Sequence, residues 1–247
     1  MLSARRVPEG RLELRRKIQK KGIQQALERI VPSYARIPLV LLVIINLIVY
    51  EGTQFLMLHA KHWDLALPLD ARIPFRPAWI VIYILAYLQW AVGFIVIARE
   101  SRARCNRVFM GELIAKFICG LFFILLPTRI DRPVVEGGGF IAWLMRLIYA
   151  GDLPGNLFPS IHCLESWLCF RGAIGMKRVP RWYAPAMLAF TLMVFASTVL
   201  VKQHVLVDIP AGVLLAELGL LLSDKLRAGR LLERLEVARL RRRGGEA

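Results

Sequence analysis

The sequence predicts an all-α integral membrane protein. It reads as a bundle of six transmembrane helices with both termini cytoplasmic and an interfacial helix in the loop between the third and fourth spans. Three observations predict this. The 247 residues are 57% hydrophobic with a mean hydropathy of +0.51, more apolar than the roughly half-apolar usage of soluble domains. The apolar residues fall in six blocks, at 37–58, 77–98, 108–127, 160–176, 183–201 and 207–223, close to the roughly 20 residues that a span needs. Of the 34 Lys and Arg, 26 fall on one set of alternate loops and termini and 7 on the other, with Lys116 inside the third block. That alternation is the positive-inside pattern, and it places both termini in the cytoplasm.

Residues 1–36 form a basic N-terminal segment, and 11–30 alternate apolar and charged positions at helical spacing. The tail, 224–247, is also basic, and 227–243 repeats the pattern. Both read as segments touching anionic lipid headgroups or as solvated topogenic charge. The first apolar block begins after residue 36 and is too long for a signal-peptide core, so it is expected to remain as a span. The formal charge of +16 does not indicate nucleic acid, because no basic segment sits on a folded soluble module. One membrane domain, 37–223, carries the rest.

The third block holds Glu112 and Lys116, four residues apart. The pair reads as an ion pair within the bundle, with a proton or ion path as the sharper alternative. The loop 128–159 is rich in Gly, Pro and charge, except for the apolar stretch 140–150. That stretch is too short to span and suits the outer interface, where Trp143 and Tyr149 are at home. Cys105 falls in a cytoplasmic loop, and Cys119, Cys163 and Cys169 fall in spans as small core residues. No zinc-like spacing is present.

All four histidines map to the outer face. His59 and His62 read as ordinary interfacial residues. His162 and His204 come with companions, in FPSIH (158–162) and KQHVLVD (202–208). If 204–208 is helical, Asp208 lies one turn from His204 and can hold one imidazole nitrogen, leaving the other basic. Ser160 reads as the N-cap of the fourth helix, whose free amides suit a phosphate, and His162 sits in that first turn. Arg132 and Arg129, in LLPTRIDRP (125–133), can offer guanidinium forks to phosphate oxygens. Lys202 reads equally as a phosphate partner or as an interfacial lysine.

These three motifs, in this order, resemble those of the type 2 phosphatidic acid phosphatase superfamily: K-x6-R-P, then P-S-G-H, then S-R-x5-H-x3-D. The variants FPSIH and PT-x-x-x-R-P look more like the branch that includes inositol phosphorylceramide synthase-like proteins. The chain departs from the pattern at Leu125, Ile161 and Thr198, which stand where the family has Lys, Gly and Arg.

The resemblance implies a metal-free, cofactor-free phosphoryl transfer on a lipid phosphate at the extracytoplasmic face of the cell membrane. His204 is then the nucleophile, Asp208 its orienting carboxylate and His162 the acid. Arg132, Ser160, Arg129 and Lys202 would hold the phosphate, the last two in place of the missing cations. Hydrolysis by water is the leading expectation. Transfer of a phospho-headgroup to an alcohol acceptor is the second, and a catalytically decayed transporter or scaffold the third.

Overall fold

The computed structural model describes residues 27–230, together with Gly22 and residues 232–234. Most of the amphipathic patterns over 11–30 and 227–243 lies outside the described residues. Those described form no β-strand; seven helical segments account for the architecture.

The helix α1 runs Ser33–Leu56 and contains a π-helical stretch, Ile48–Gly52. A loop follows, and then α2, Ile80–Glu100, entered through a 3₁₀ turn that begins at Pro77. Proline suits that first position because its missing N–H would have no intrahelical partner. Ser101, in extended backbone, breaks α2 and caps α3, Arg102–Leu125, its Oγ accepting from Arg104 N at 3.2 Å. The short apolar helix α4 is Phe140–Gly151. Then come α5, Ile161–Ala173, α6, Tyr183–Leu200, and α7, Asp208–Lys225.

Four of these helices are long and apolar enough to cross a membrane: α1, α2 with its entry turn, α3 and α6. The helix α5 has 13 residues, and α7, with 18, carries Asp208, Glu217, Asp224 and Lys225. The helix α5 is the most enclosed of the seven, whereas α7 buries one side and exposes Leu214, Leu218 and Leu221 on the other. The helix α5 packs against α2, α3, α6 and α7, and ten of its 13 residues are buried. By contrast α1 is mostly exposed along its apolar length, as a lipid-facing helix should be.

Small residues set how closely the helices approach. The most extensive contact is α3 on α7. There a Cβ on Gly219 would fall 2.2 Å from the Gly111 carbonyl oxygen, so only glycine allows this crossing. At the other end of α7, a Cβ on Gly212 would fall 2.5 Å from the Ser160 carbonyl oxygen. That close approach brings the N-termini of α5 and α7 together, and Ser160 N donates to Asp208 O at 3.3 Å.

The antiparallel run of α3 against α5 and α7 gives the bundle two unlike ends. At one end are the arginines that flank the helices. Arg107 pairs with Asp224 at 2.7 Å, Arg171 pairs with Glu217, and Arg104 donates to the Gly172 and Ile174 carbonyls. At the other end are His162 and His204. Cys105 belongs to the basic end, but it lies in the first turn of α3, buried against Ala35 and Ala98, rather than in a loop.

The bundle core corrects the expected pairing of Glu112 with Lys116. Lys116 Nζ instead reaches Glu165 Oε1 on α5 at 2.5 Å and also donates to Asn46 on α1. An i, i+4 pair on one helix gives way to a partner across the helix interface, where an ammonium has two acceptors at once.

Candidate active site

His204 and Asp208 meet as their spacing suggests, but through a turn rather than a helix. The helix α7 begins only at Asp208, and His204 sits in the preceding turn. Its position is fixed by the Thr198 carbonyl, which accepts from Gln203 N at 2.9 Å and His204 N at 3.1 Å. Thr198 thus positions this turn through its backbone carbonyl. Asp208 Oδ2 faces His204 Nδ1 at 3.1 Å and also accepts from Val205 N at 3.0 Å. Asp208 is fully buried. A carboxylate can only accept, so Nδ1 carries the proton and Nε2 keeps its lone pair.

His162 lies 6.1 Å from His204, ring centre to ring centre. It stands in an aromatic box. Tyr83 stacks on it at 4.1 Å, while Trp90 and Tyr87 meet it edge-on at 4.9 Å and 5.4 Å. Trp90 is held in turn by Ser166, one turn further along α5, through an Nε1–Oγ bond of 2.9 Å. Ser160 is the N-cap, its Oγ accepting from Cys163 N at 3.3 Å.

The loop 128–159 folds back over this pair. Thr128 Oγ1 accepts from Leu157 N and Phe158 N at 3.0 and 3.2 Å. Asn156, in left-handed backbone (φ 53°), donates to the Tyr50 carbonyl at 2.9 Å. That carbonyl lies in the π-helical turn of α1, where the regular ladder is interrupted. The same turn aims the Tyr50 hydroxyl at Asp152.

Asp152, at the end of α4, is a site residue that sequence reasoning missed. Its carboxylate accepts from Tyr50 Oη and, at 3.0 Å, from Tyr83 Oη. Its carbonyl accepts from Arg132 Nη1, and Leu153 O accepts from Arg132 Nη2 at 3.2 Å. Arg132 also lies over the Tyr149 ring at 4.8 Å. Burial pushes the Tyr149 phenol up to about 12, so it remains a neutral donor to Val201 O at 2.6 Å. This ties α4 to the turn that carries His204.

Tyr50, Tyr83, Arg132, Asp152, His162 and His204 line one cavity with Asn156 and Gln203. Its volume is about 10 Å³ measured to the centre of a water molecule, room for about one water. Several polar atoms of its lining are buried without a protein partner: His162 Nε2, Arg132 Nε and both side-chain ends of Gln203. Buried polar groups are normally satisfied, so this convergence suits a polar ligand, and the guanidinium gives the site a fixed positive charge.

Three expected phosphate ligands are not in the lining of this cavity. Ser160 is fully buried, with its Oγ engaged as the α5 cap. Lys202 turns away in left-handed backbone (φ 55°) and donates through Nζ to the carbonyls of Asp70 at 3.0 Å and Ile73 at 2.7 Å. Arg129 is exposed and engages through its backbone, with its N–H donating to Trp63 O at 3.0 Å. Asp70 is a further residue missed in sequence. Its carboxylate accepts from Leu206 N and Leu67 N, each at 2.8 Å, and so clamps the His204 turn to the loop after α1. Among the described residues, no three His, Cys, Asp or Glu side chains converge as a metal site requires.

No family model, curated protein or solved structure matches this chain.

Proposed function

We propose that this protein is a membrane lipid-phosphate phosphatase that works through a phosphohistidine at the extracytoplasmic face. The observation that carries the reading is that His204, held through Nδ1 by the buried Asp208 Oδ2, lines the same cavity as His162 and Arg132. The ordered motifs around these residues, with their likeness to the type 2 phosphatidic acid phosphatases, support it further.

In this reading α5 and α7 complete a six-span bundle whose basic end and termini are cytoplasmic. The 13 residues of α5 cover only about 20 Å, less than a bilayer core, so the cavity at its N-terminal end is sunk below the outer surface. A lipid phosphate then reaches it from the interface, beside α4.

His204 Nε2 attacks phosphorus. A nitrogen–phosphorus bond forms as the bond from phosphorus to the leaving oxygen breaks, and protonated His162 gives that oxygen its proton. Arg132 stabilises the charge that gathers on the phosphoryl oxygens, after exchanging its contacts with the Asp152 and Leu153 carbonyls for the substrate. In the second half, water attacks the phosphohistidine and neutral His162 takes its proton. Asp208 keeps the His204 ring in the reactive tautomer throughout.

The test is phosphate release by the purified protein across a panel of lipid phosphates, with His204→Ala as the control. Release dependent on His204 is expected, and full release by His204→Ala would sink the proposal. Candidate alcohols added to the same assay separate hydrolysis from transfer. An acceptor that diverts phosphate from water moves the assignment to a phosphotransferase. Failure to turn over or to bind any phosphate ester leaves the scaffold reading in its place.

A further inference from the structure

Beneath the two histidines, in the middle of the bundle, lies a second group of ionisable side chains that phosphoryl transfer does not use. Glu112 and Lys116 come from α3, Glu165 from α5 and Asn46 from α1. Glu112, Lys116 and Glu165 are 1%, 1% and 3% exposed. Two carboxylates and one ammonium, all ionised, would leave a net negative charge in the core of a membrane bundle. Uncompensated charge there is costly, and neutralisation is the usual remedy.

The geometry shows where compensation is lacking. Lys116 satisfies only one oxygen of the pair, Glu165 Oε1, and spends another donor on Asn46 Oδ1. Glu165 Oε2 and Glu112 Oε2 are both buried with no hydrogen-bond partner. The Glu112 and Glu165 carboxyls are neighbours across the α3–α5 interface, each with one buried oxygen unmatched. Two carboxylates cannot donate to one another, so a bond between them needs a proton.

Among the described residues around the cluster, Lys116 is the one permanently charged cation. The helix α7 meets α3 here with Ala216, Gly219 and Leu220, and α2 brings Trp90 and Phe94 to the same core. The remaining titratable groups nearby are Cys119 on α3 and Cys169 and His162 on α5. The cation position itself is taken, because the Lys116 ammonium already sits between Asn46 and Glu165. A proton is therefore the ligand that fits, rather than a sodium ion.

We infer that Glu112 and Glu165 form a proton-binding site in the membrane core, holding one proton between them and making the Glu112–Lys116–Glu165 cluster neutral. The site stands one helical turn below His162, since Glu165 follows it by three residues on α5. Loss of the proton would put a negative charge under the candidate active site. The inference does not depend on the phosphoryl-transfer reading.

Infrared spectroscopy of the purified wild-type protein tests it. A protonated-carboxyl C=O band is expected at neutral pH, shifted down on exchange into D₂O and lost in Glu112→Gln. No such band, or one unchanged in both Glu112→Gln and Glu165→Gln, would overturn the site. Should those variants fail to fold, a hydrophobic carbodiimide, which reacts with protonated carboxyls in apolar surroundings, labels the wild type directly. Mass spectrometry should then find the adduct on Glu112 or Glu165. Absence of label on both, under conditions where the unfolded chain is labelled, overturns the proposal. Protection by sodium at constant pH would reassign the site to a metal cation.

Discussion

The ring of His162 lies against that of Tyr83, with centroids 4.1 Å apart and planes 23° apart, while the Tyr83 hydroxyl donates to Asp152 at 3.0 Å. One side chain on α2 thus connects the acid of the proposed reaction on α5 to the carboxylate at the end of α4. Tyr83→Phe keeps the stack and removes the bond. The variant should keep its fold, lose about 1–3 kcal/mol of stability from the half-satisfied Asp152, and lower kcat more than it raises KM. Denaturation and steady-state kinetics check both. Unchanged kinetics would remove Asp152 and Tyr83 from the working site.

Arg132 and Arg129 are three residues apart and should differ sharply. Arg132 lines the cavity, so Arg132→Ala should reduce turnover by about 10²- to 10³-fold, the usual cost of one transition-state donor. Arg129 is exposed, and Arg129→Ala should stay within a few fold of wild type. Equal losses in the two variants would place Arg129 at the phosphate after all.

Lys202 should behave as a structural residue. Lys202→Ala leaves the Asp70 and Ile73 carbonyls short of a donor and should cost about 1–3 kcal/mol of stability. Asp70→Asn, which weakens the clamp on Leu206 N, should lower activity by the same route. Thermal unfolding and lipid-phosphate KM, measured together, decide this. A large KM rise with unchanged stability in Lys202→Ala would make it a substrate contact.

Gly212 and Gly219 set helix distances at opposite ends of α7. A side chain at Gly219 meets the Gly111 backbone at 2.2 Å, and one at Gly212 meets the Ser160 backbone at 2.5 Å. Overpacking of this kind costs about 1–3 kcal/mol or more. Gly212→Val should separate Asp208 from Ser160 and abolish activity even where protein accumulates. Gly219→Val should chiefly lower yield and melting temperature. Full activity in Gly212→Val would show that the α5–α7 junction does not position the histidines.

Much of this was legible in the sequence, and the rest was not for identifiable reasons. Block length foretold the four long apolar helices, and the Pro-Ser step before an apolar run foretold the Ser160 cap, because these signals are local. His204 and Asp208 were recognisable by spacing, yet four residues join one turn as readily as one helical face. Lys116 pairs with Glu165, 49 positions away, and the contact exists only once α3 and α5 pack. Asp152 sits in a polar Gly-Pro loop, where an aspartate ordinarily faces water; its tyrosine partners come from α1 and α2. Lys202 carried a charge on the right side of the molecule, but a positive φ and two carbonyls in the loop after α1 took it elsewhere.

The central claim is that His204 becomes covalently bound to phosphorus. Rapid quenching of the purified protein with lipid phosphate labelled at phosphorus, followed by peptide mapping, tests it most directly. The account predicts an acid-labile, alkali-stable label on His204. It predicts none in His204→Ala, and slower labelling by about 10²- to 10⁴-fold in Asp208→Asn, which cannot hold the reactive tautomer. Turnover of the lipid phosphate with no label on His204, or undiminished turnover by His204→Ala, would contradict it.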